Sequence, residues 1–132
     1  MFKRVLIVDD CPDNRRLVAA CLRSVTGIVA EEAADGWSAL RMIAKWQPDL
    51  IILDMNLPAL SGYQIARMLR AWGGRFADVP ILALTATIEP DARARCLQAG
   101  VTDYIAKPLI DPRALLAKAS AHLSYGGERT PP

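Results

Sequence analysis

Short aliphatic runs without polar alternation recur at residues 5–8, 50–53 and 81–84, the pattern of parallel strands covered by helices on both faces. Two weaker strands are predicted over 28–30 and 101–105. Between these runs the apolar positions switch to helical spacing: Val18, Cys21, Leu22 and Val25 form one stripe, and Ile65, Met68, Leu69 and Trp72 another. A second helix is predicted over 37–46 and a fourth over 90–99, with Gly100 as its stop. The last helix has the clearest start. Asp111 caps it, Pro112 takes the first helical position, and Leu116, Ala119 and Leu123 face one way.

Five alternations of strand and helix with short connections predict an α/β fold: a doubly wound, five-stranded parallel sheet between two helical layers. With strand order 2-1-3-4-5, as in the flavodoxin-like three-layer arrangement, the functional crevice opens at the carboxyl ends of strands 1 and 3. Asp9 and Asp10 end strand 1, Asp54 ends strand 3, Thr85 follows strand 4 and Lys107 follows strand 5, so the polar residues gather on one rim.

At 132 residues the chain is expected to form one domain over 1–125, with a Gly/Pro-containing flexible tail over 126–132. A net charge of +2 from interspersed acids and bases offers neither a nucleic-acid groove nor a membrane-binding patch. The first apolar run is too short for a signal peptide or a span, and three cysteines without a paired spacing argue for reduced thiols. A cytoplasmic protein is expected.

Three carboxylates at one sheet edge repel one another unless some are protonated or a cation sits among them. Mg²⁺, or Mn²⁺ in its place, suits such a site because it takes oxygen ligands and tolerates one or two carboxylates with water. Asp10 and Asp54 supply carboxylates, the backbone carbonyl of Asn56 a third oxygen, and Asp9 acts through a bound water. An aspartate can also attack phosphorus, provided the charge spreading over the phosphoryl oxygens is stabilised. The cation would take one oxygen, the Lys107 ammonium a second, and the Thr85 hydroxyl with a nearby N–H the third.

The segments Val5-Leu6-Ile7-Val8-Asp9-Asp10, Asp54-Met55-Asn56-Leu57-Pro58 with Ser61-Gly62, Ala83-Leu84-Thr85-Ala86 and Tyr104-Ile105-Ala106-Lys107-Pro108 together resemble the receiver domains of two-component response regulators, in the single-domain form of chemotaxis regulators. The resemblance implies a signalling phosphoacceptor rather than an enzyme, one that promotes its own phosphotransfer, with autodephosphorylation as a further activity. A histidine kinase or histidine phosphotransfer protein would phosphorylate Asp54, with Asp9 and Asp10 as the acidic metal pair. It further implies a switch in which Thr85 turns toward the phosphoryl group and Tyr104 moves inward, remodelling the helix 4, strand 5 and helix 5 surface for a downstream protein. The bond from Lys107 to Pro108 resembles the family's cis-prolyl link.

Three rival readings are open. An aspartate-nucleophile phosphohydrolase would place nucleophile and general acid in one loop, whereas Asp9 and Asp10 lie on a different strand from Asp54. A flavodoxin-like flavin binder needs Gly, Ser or Thr donors after strand 1, where this chain has anions. A pseudo-receiver that only docks would not need the full acidic set with Lys107.

Overall fold

The computed structural model describes residues 2–86, 91–107 and 111–128, with side chains of the last helix described as far as Leu123. The elements are β1 (Lys3–Val8), α1 (Pro12–Arg23), β2 (Ile28–Ala33), α2 (Gly36–Trp46), β3 (Leu50–Asp54), α3 (Gly62–Trp72), β4 (Ile81–Thr85), α4 (Ala92–Ala99), β5 (Asp103–Ala106) and α5 (Pro112–Glu128). The strands form one parallel sheet in the order β2-β1-β3-β4-β5. No helix among the described residues is long and apolar enough to cross a membrane.

Successive side chains of a strand point to opposite faces, and the two faces carry separate cores. Leu6, Val8, Ile51, Leu53, Ile81 and Ala83 pack against α2, α3 and α4. Val5, Ile7, Leu50, Ile52, Leu82 and Leu84 pack against α1 and α5. Each large aliphatic side chain buried in this way contributes roughly 1.5–3 kcal/mol. The central strands can therefore be apolar throughout, which is why their runs are continuous.

The weaker elements differ from their expected bounds for local reasons. β2 continues through Glu31 and Glu32 because it is an edge strand, and Glu32 finds its counter-charges on α1 in Arg15 and Arg23. β5 starts at Asp103 rather than Val101, because the Thr102 hydroxyl accepts the Ile81 N–H at 3.0 Å where a strand carbonyl would. On α5 the buried residue is Leu115; Leu116, expected inward, is half-buried. Asp111 does cap α5, accepting the Arg113 N–H at 3.0 Å. Trp72, expected on the α3 stripe, is exposed and meets Phe76 edge to face at 5.4 Å. The expected α4 start at Pro90 lies outside the described residues. α5 runs through Gly126 to Glu128, and the rest of the expected flexible tail also lies outside them.

Candidate functional site

Alternation carries past the strand ends and decides which way the rim residues face. Asp9 lies two residues beyond Ile7, Asp54 two beyond Ile52, and Lys107 two beyond Ile105, so all three turn toward the α1/α5 side. They meet there. Lys107 Nζ lies 2.9 Å from Asp54 Oδ2 and 3.6 Å from Asp9 Oδ2, and both carboxylates are buried. Parallel pairing sets this reach, since the Lys107 N–H donates to the Thr85 carbonyl at 2.8 Å and fixes where β5 ends beside β4.

The two acids are held by short local turns. Asp54 Oδ1 accepts the Asn56 N–H at 3.0 Å, and Asp9 Oδ1 accepts the Cys11 N–H at 2.9 Å, each two residues on. Asp9 Oδ2 is different: it is buried and accepts no hydrogen bond from a described residue. Asp10 is exposed, and one carboxylate oxygen from each of Asp9, Asp10 and Asp54 falls within 4.8 Å of the others.

Burial raises the Asp9 carboxyl above its usual range, and the charges of Asp54 and Asp10 push the same way; the Cys11 N–H and Lys107 offset only part. Burial alone would lower the Lys107 ammonium, but its hydrogen bonds and charge contacts with Asp54 and Asp9 outweigh that and hold it above its usual value. The rim thus concentrates negative charge that one ammonium does not neutralise. A hard cation with oxygen ligands fits this donor set, because it would engage the orphaned Asp9 oxygen and relieve the repulsion.

Thr85 is buried at the end of β4 and, two residues beyond Ala83, faces the α3/α4 side. Tyr104 pairs in register with Ala83, so it shares that face. It is half-buried against the α3/α4 core, and Lys118 of α5 donates to its carbonyl at 2.9 Å with its ammonium 5.6 Å from the ring centre. The structure thus brings Asp9, Asp10, Asp54 and Lys107 into one cluster, with Asn56 on its rim and Thr85 and Tyr104 on the other sheet face. The Lys107–Pro108 bond lies outside the described residues, since Pro108 is not among them.

Two residues also shape the site: Gly62, which the resemblance includes without giving it a role, and Arg15, which the sequence pattern does not single out. Gly62 opens α3 directly beneath the phosphoacceptor candidate: a Cβ there would stand 2.6 Å from the Asp54 carbonyl oxygen and 2.6 Å from Met55 Cα. Arg15 donates from Nη1 to the Asp9 carbonyl at 2.8 Å. A glycine beside a helix cap gives a weak hint; an arginine one turn into a helix gives none.

Comparison with known proteins identifies the family. The family model described as response regulator receiver domain matches residues 5–120. The chain is 39% identical over 125 residues to the phosphate regulon transcriptional regulatory protein PhoB of Pseudomonas aeruginosa, covering 95% of this chain and 53% of that protein. It is 42% identical over 108 residues to the response regulator MprA of Mycobacterium ulcerans, covering 82% and 45%. The chain thus spans about half the length of these curated relatives. Among solved structures, the chemotaxis response regulator CheY4 of Vibrio cholerae superposes with a TM-score of 0.84 at 31% identity, over 92% of this chain and 99% of that one. The receiver domain of a signal transduction histidine kinase from Syntrophus aciditrophicus gives 0.85 at 31%, over 97% and 94%. The chain belongs to the response regulator receiver domain family.

Proposed function

We propose that Asp54 accepts a phosphoryl group from a phosphohistidine on a histidine kinase or phosphotransfer protein, and that the change this makes at the rim is read by a protein partner. The observation that carries this reading is the clustering of three carboxylates, two of them paired with the ammonium of Lys107 and one with a buried oxygen that no described residue hydrogen-bonds.

A carboxylate oxygen of Asp54 attacks phosphorus, the bond from phosphorus to the imidazole nitrogen breaks, and its electron pair leaves with the donor's ring. Lys107 remains protonated and, released from its pair with Asp54 Oδ2, binds an oxygen of the incoming phosphoryl group. Thr85 supplies a hydroxyl donor from the neighbouring strand end. Asp9, Asp10, Asp54 and the Asn56 carbonyl would hold Mg²⁺ or Mn²⁺, whose charge neutralises the acids so that an anionic donor can approach. Water attacking the same phosphorus would break its bond to the Asp54 oxygen and release inorganic phosphate, returning the carboxylate by autodephosphorylation. Reorientation of Thr85 leaves room on the face it shares with Tyr104, and movement of that ring changes the α4, β5 and α5 surface. The same reading places the protein in the cytoplasm with its phosphodonor.

Incubation with acetyl phosphate and Mg²⁺, followed by intact-mass measurement, tests this. One phosphoryl adduct labile to hydroxylamine, absent without Mg²⁺ and absent from Asp54→Ala, is expected. An equal adduct on Asp54→Ala would overturn the assignment.

A further inference from the structure

Asp10 is exposed and its carboxylate takes no hydrogen bond from a described residue, so its direction depends on the peptide that joins it to Asp9. The main chain is tied on both sides of the Asp9 α-carbon, and the second of these ties lies on that peptide itself. The Asp9 N–H donates to the Ala33 carbonyl of β2 at 3.2 Å, and the Asp9 carbonyl accepts Arg15 Nη1 at 2.8 Å. Arg15 is itself held by Nε to Glu32 Oε1 at 3.1 Å, and its side chain is 16% exposed. We propose that Arg15, braced by Glu32, is a positioning residue for the acidic loop: it fixes the Asp9–Asp10 peptide so that both carboxylates can bind one divalent cation. This rests on the metal reading given above.

The charge arrangement separates positioning from simple electrostatics. A lone guanidinium beside the acidic loop would compete with a metal ion, and Glu32 cancels that charge. If Arg15 acted only through its charge, removing it would tighten metal binding; if it orients the peptide, removing it weakens binding. Arg23 supplies the control. It too clasps Glu32, at 3.3 Å, and donates to the Ala30 carbonyl at 2.8 Å, yet it does not reach the acidic loop.

The test is titration of the full chain with Mn²⁺ alone, counting free ion by its electron paramagnetic resonance signal, with unfolding temperatures recorded in parallel. Outer partners of metal ligands typically change affinity 10- to 100-fold, so Arg15→Ala should weaken Mn²⁺ binding about 10-fold or more. Arg15→Lys should recover part of it, because an ammonium can replace one of the two bonds but lacks the fork that makes both. Arg23→Ala should lower the unfolding temperature while leaving Mn²⁺ affinity far closer to that of the unaltered chain than Arg15→Ala does, because the bonds from Arg15 to Glu32 and to the Asp9 carbonyl remain. If Arg15→Ala does not fold, Arg15→Met replaces it, keeping the apolar stem without the guanidinium, with the same weakening expected. Affinity unchanged or tightened in whichever of Arg15→Ala and Arg15→Met folds would overturn the inference while leaving the metal site standing. Absence of Mn²⁺ binding by the unaltered chain would instead overturn the metal reading, and this inference with it.

Discussion

The ammonium of Lys107 lies 2.9 Å from Asp54 Oδ2, so the cation proposed to bind a phosphoryl oxygen also covers the proposed nucleophile before transfer. In the proposed transfer Lys107 would exchange one anionic partner for another and stay at the rim throughout.

Lys107→Ala removes a cation that competes for the acids and a donor that stabilises the transferring group. Mg²⁺ affinity should hold or rise, while the rate of labelling by acetyl phosphate falls about 100-fold, in the range for loss of one donor to a developing charge. Calorimetric titration with Mg²⁺ beside a time course of intact mass separates the two effects. A variant labelled at the normal rate would remove Lys107 from the chemistry.

Asp9 carries an ionisable group that burial holds in the wrong direction for its charge. The metal-free protein should therefore gain stability on Asp9→Asn, seen as a higher unfolding temperature. Added Mg²⁺ should stabilise the unaltered chain, by about 1.4 kcal/mol at tenfold above the dissociation constant, and the variant much less. Equal metal-induced shifts in both proteins would show that Asp9 is not part of the metal site.

The sheet and its rim were legible because two periodicities coincide: apolar runs mark β1, β3 and β4 as buried, and the first polar residues after them are Asp9, Asp54 and Thr85. The helix faces were harder to read. Leu115 and Leu116 are adjacent and equally apolar, and only the pitch of α5 against α1 selects Leu115. Trp72 satisfies the spacing of α3 but sits on its last residue, where Gly73, with φ of 73°, turns the chain away. The support of Asp9 by Arg15 and Glu32 joins an α1 residue to β2, and no local pattern in the chain encodes that contact.

Ala59, in the loop that follows Asp54, has φ of 64°, and the next N–H, of Leu60, bonds the Pro58 carbonyl at 2.7 Å. A side chain in this left-handed turn costs about 1–2 kcal/mol, whereas glycine loses more entropy on folding by about 0.4–1 kcal/mol. Ala59→Gly should therefore stabilise the chain by about 0.5 kcal/mol in urea unfolding. Destabilisation would mean that the turn carries no strain.

Asp103 of β5 is the acid of the α5 face. Burial would raise its carboxyl, but His122, the Tyr104 N–H and Lys118 outweigh that and hold it below the ordinary aspartate value of 3.8. A depressed folded value means stability that is present above 3.8 and lost as pH falls through the folded value. The unaltered chain should lose more stability than Asp103→Asn when acidified below about pH 4. Parallel losses in urea unfolding across that window would contradict the pairing.

The central claim is that Asp54 itself carries the phosphoryl group. Borohydride reduces an aspartyl phosphate to homoserine and leaves free aspartate unchanged, so peptide sequencing by mass after acetyl phosphate, Mg²⁺ and borohydride reads the site directly. Homoserine at position 54, and only there, is the predicted result. Homoserine at position 9 or 10, or unmodified aspartate at all three positions in protein shown by intact mass to carry phosphate, would contradict it.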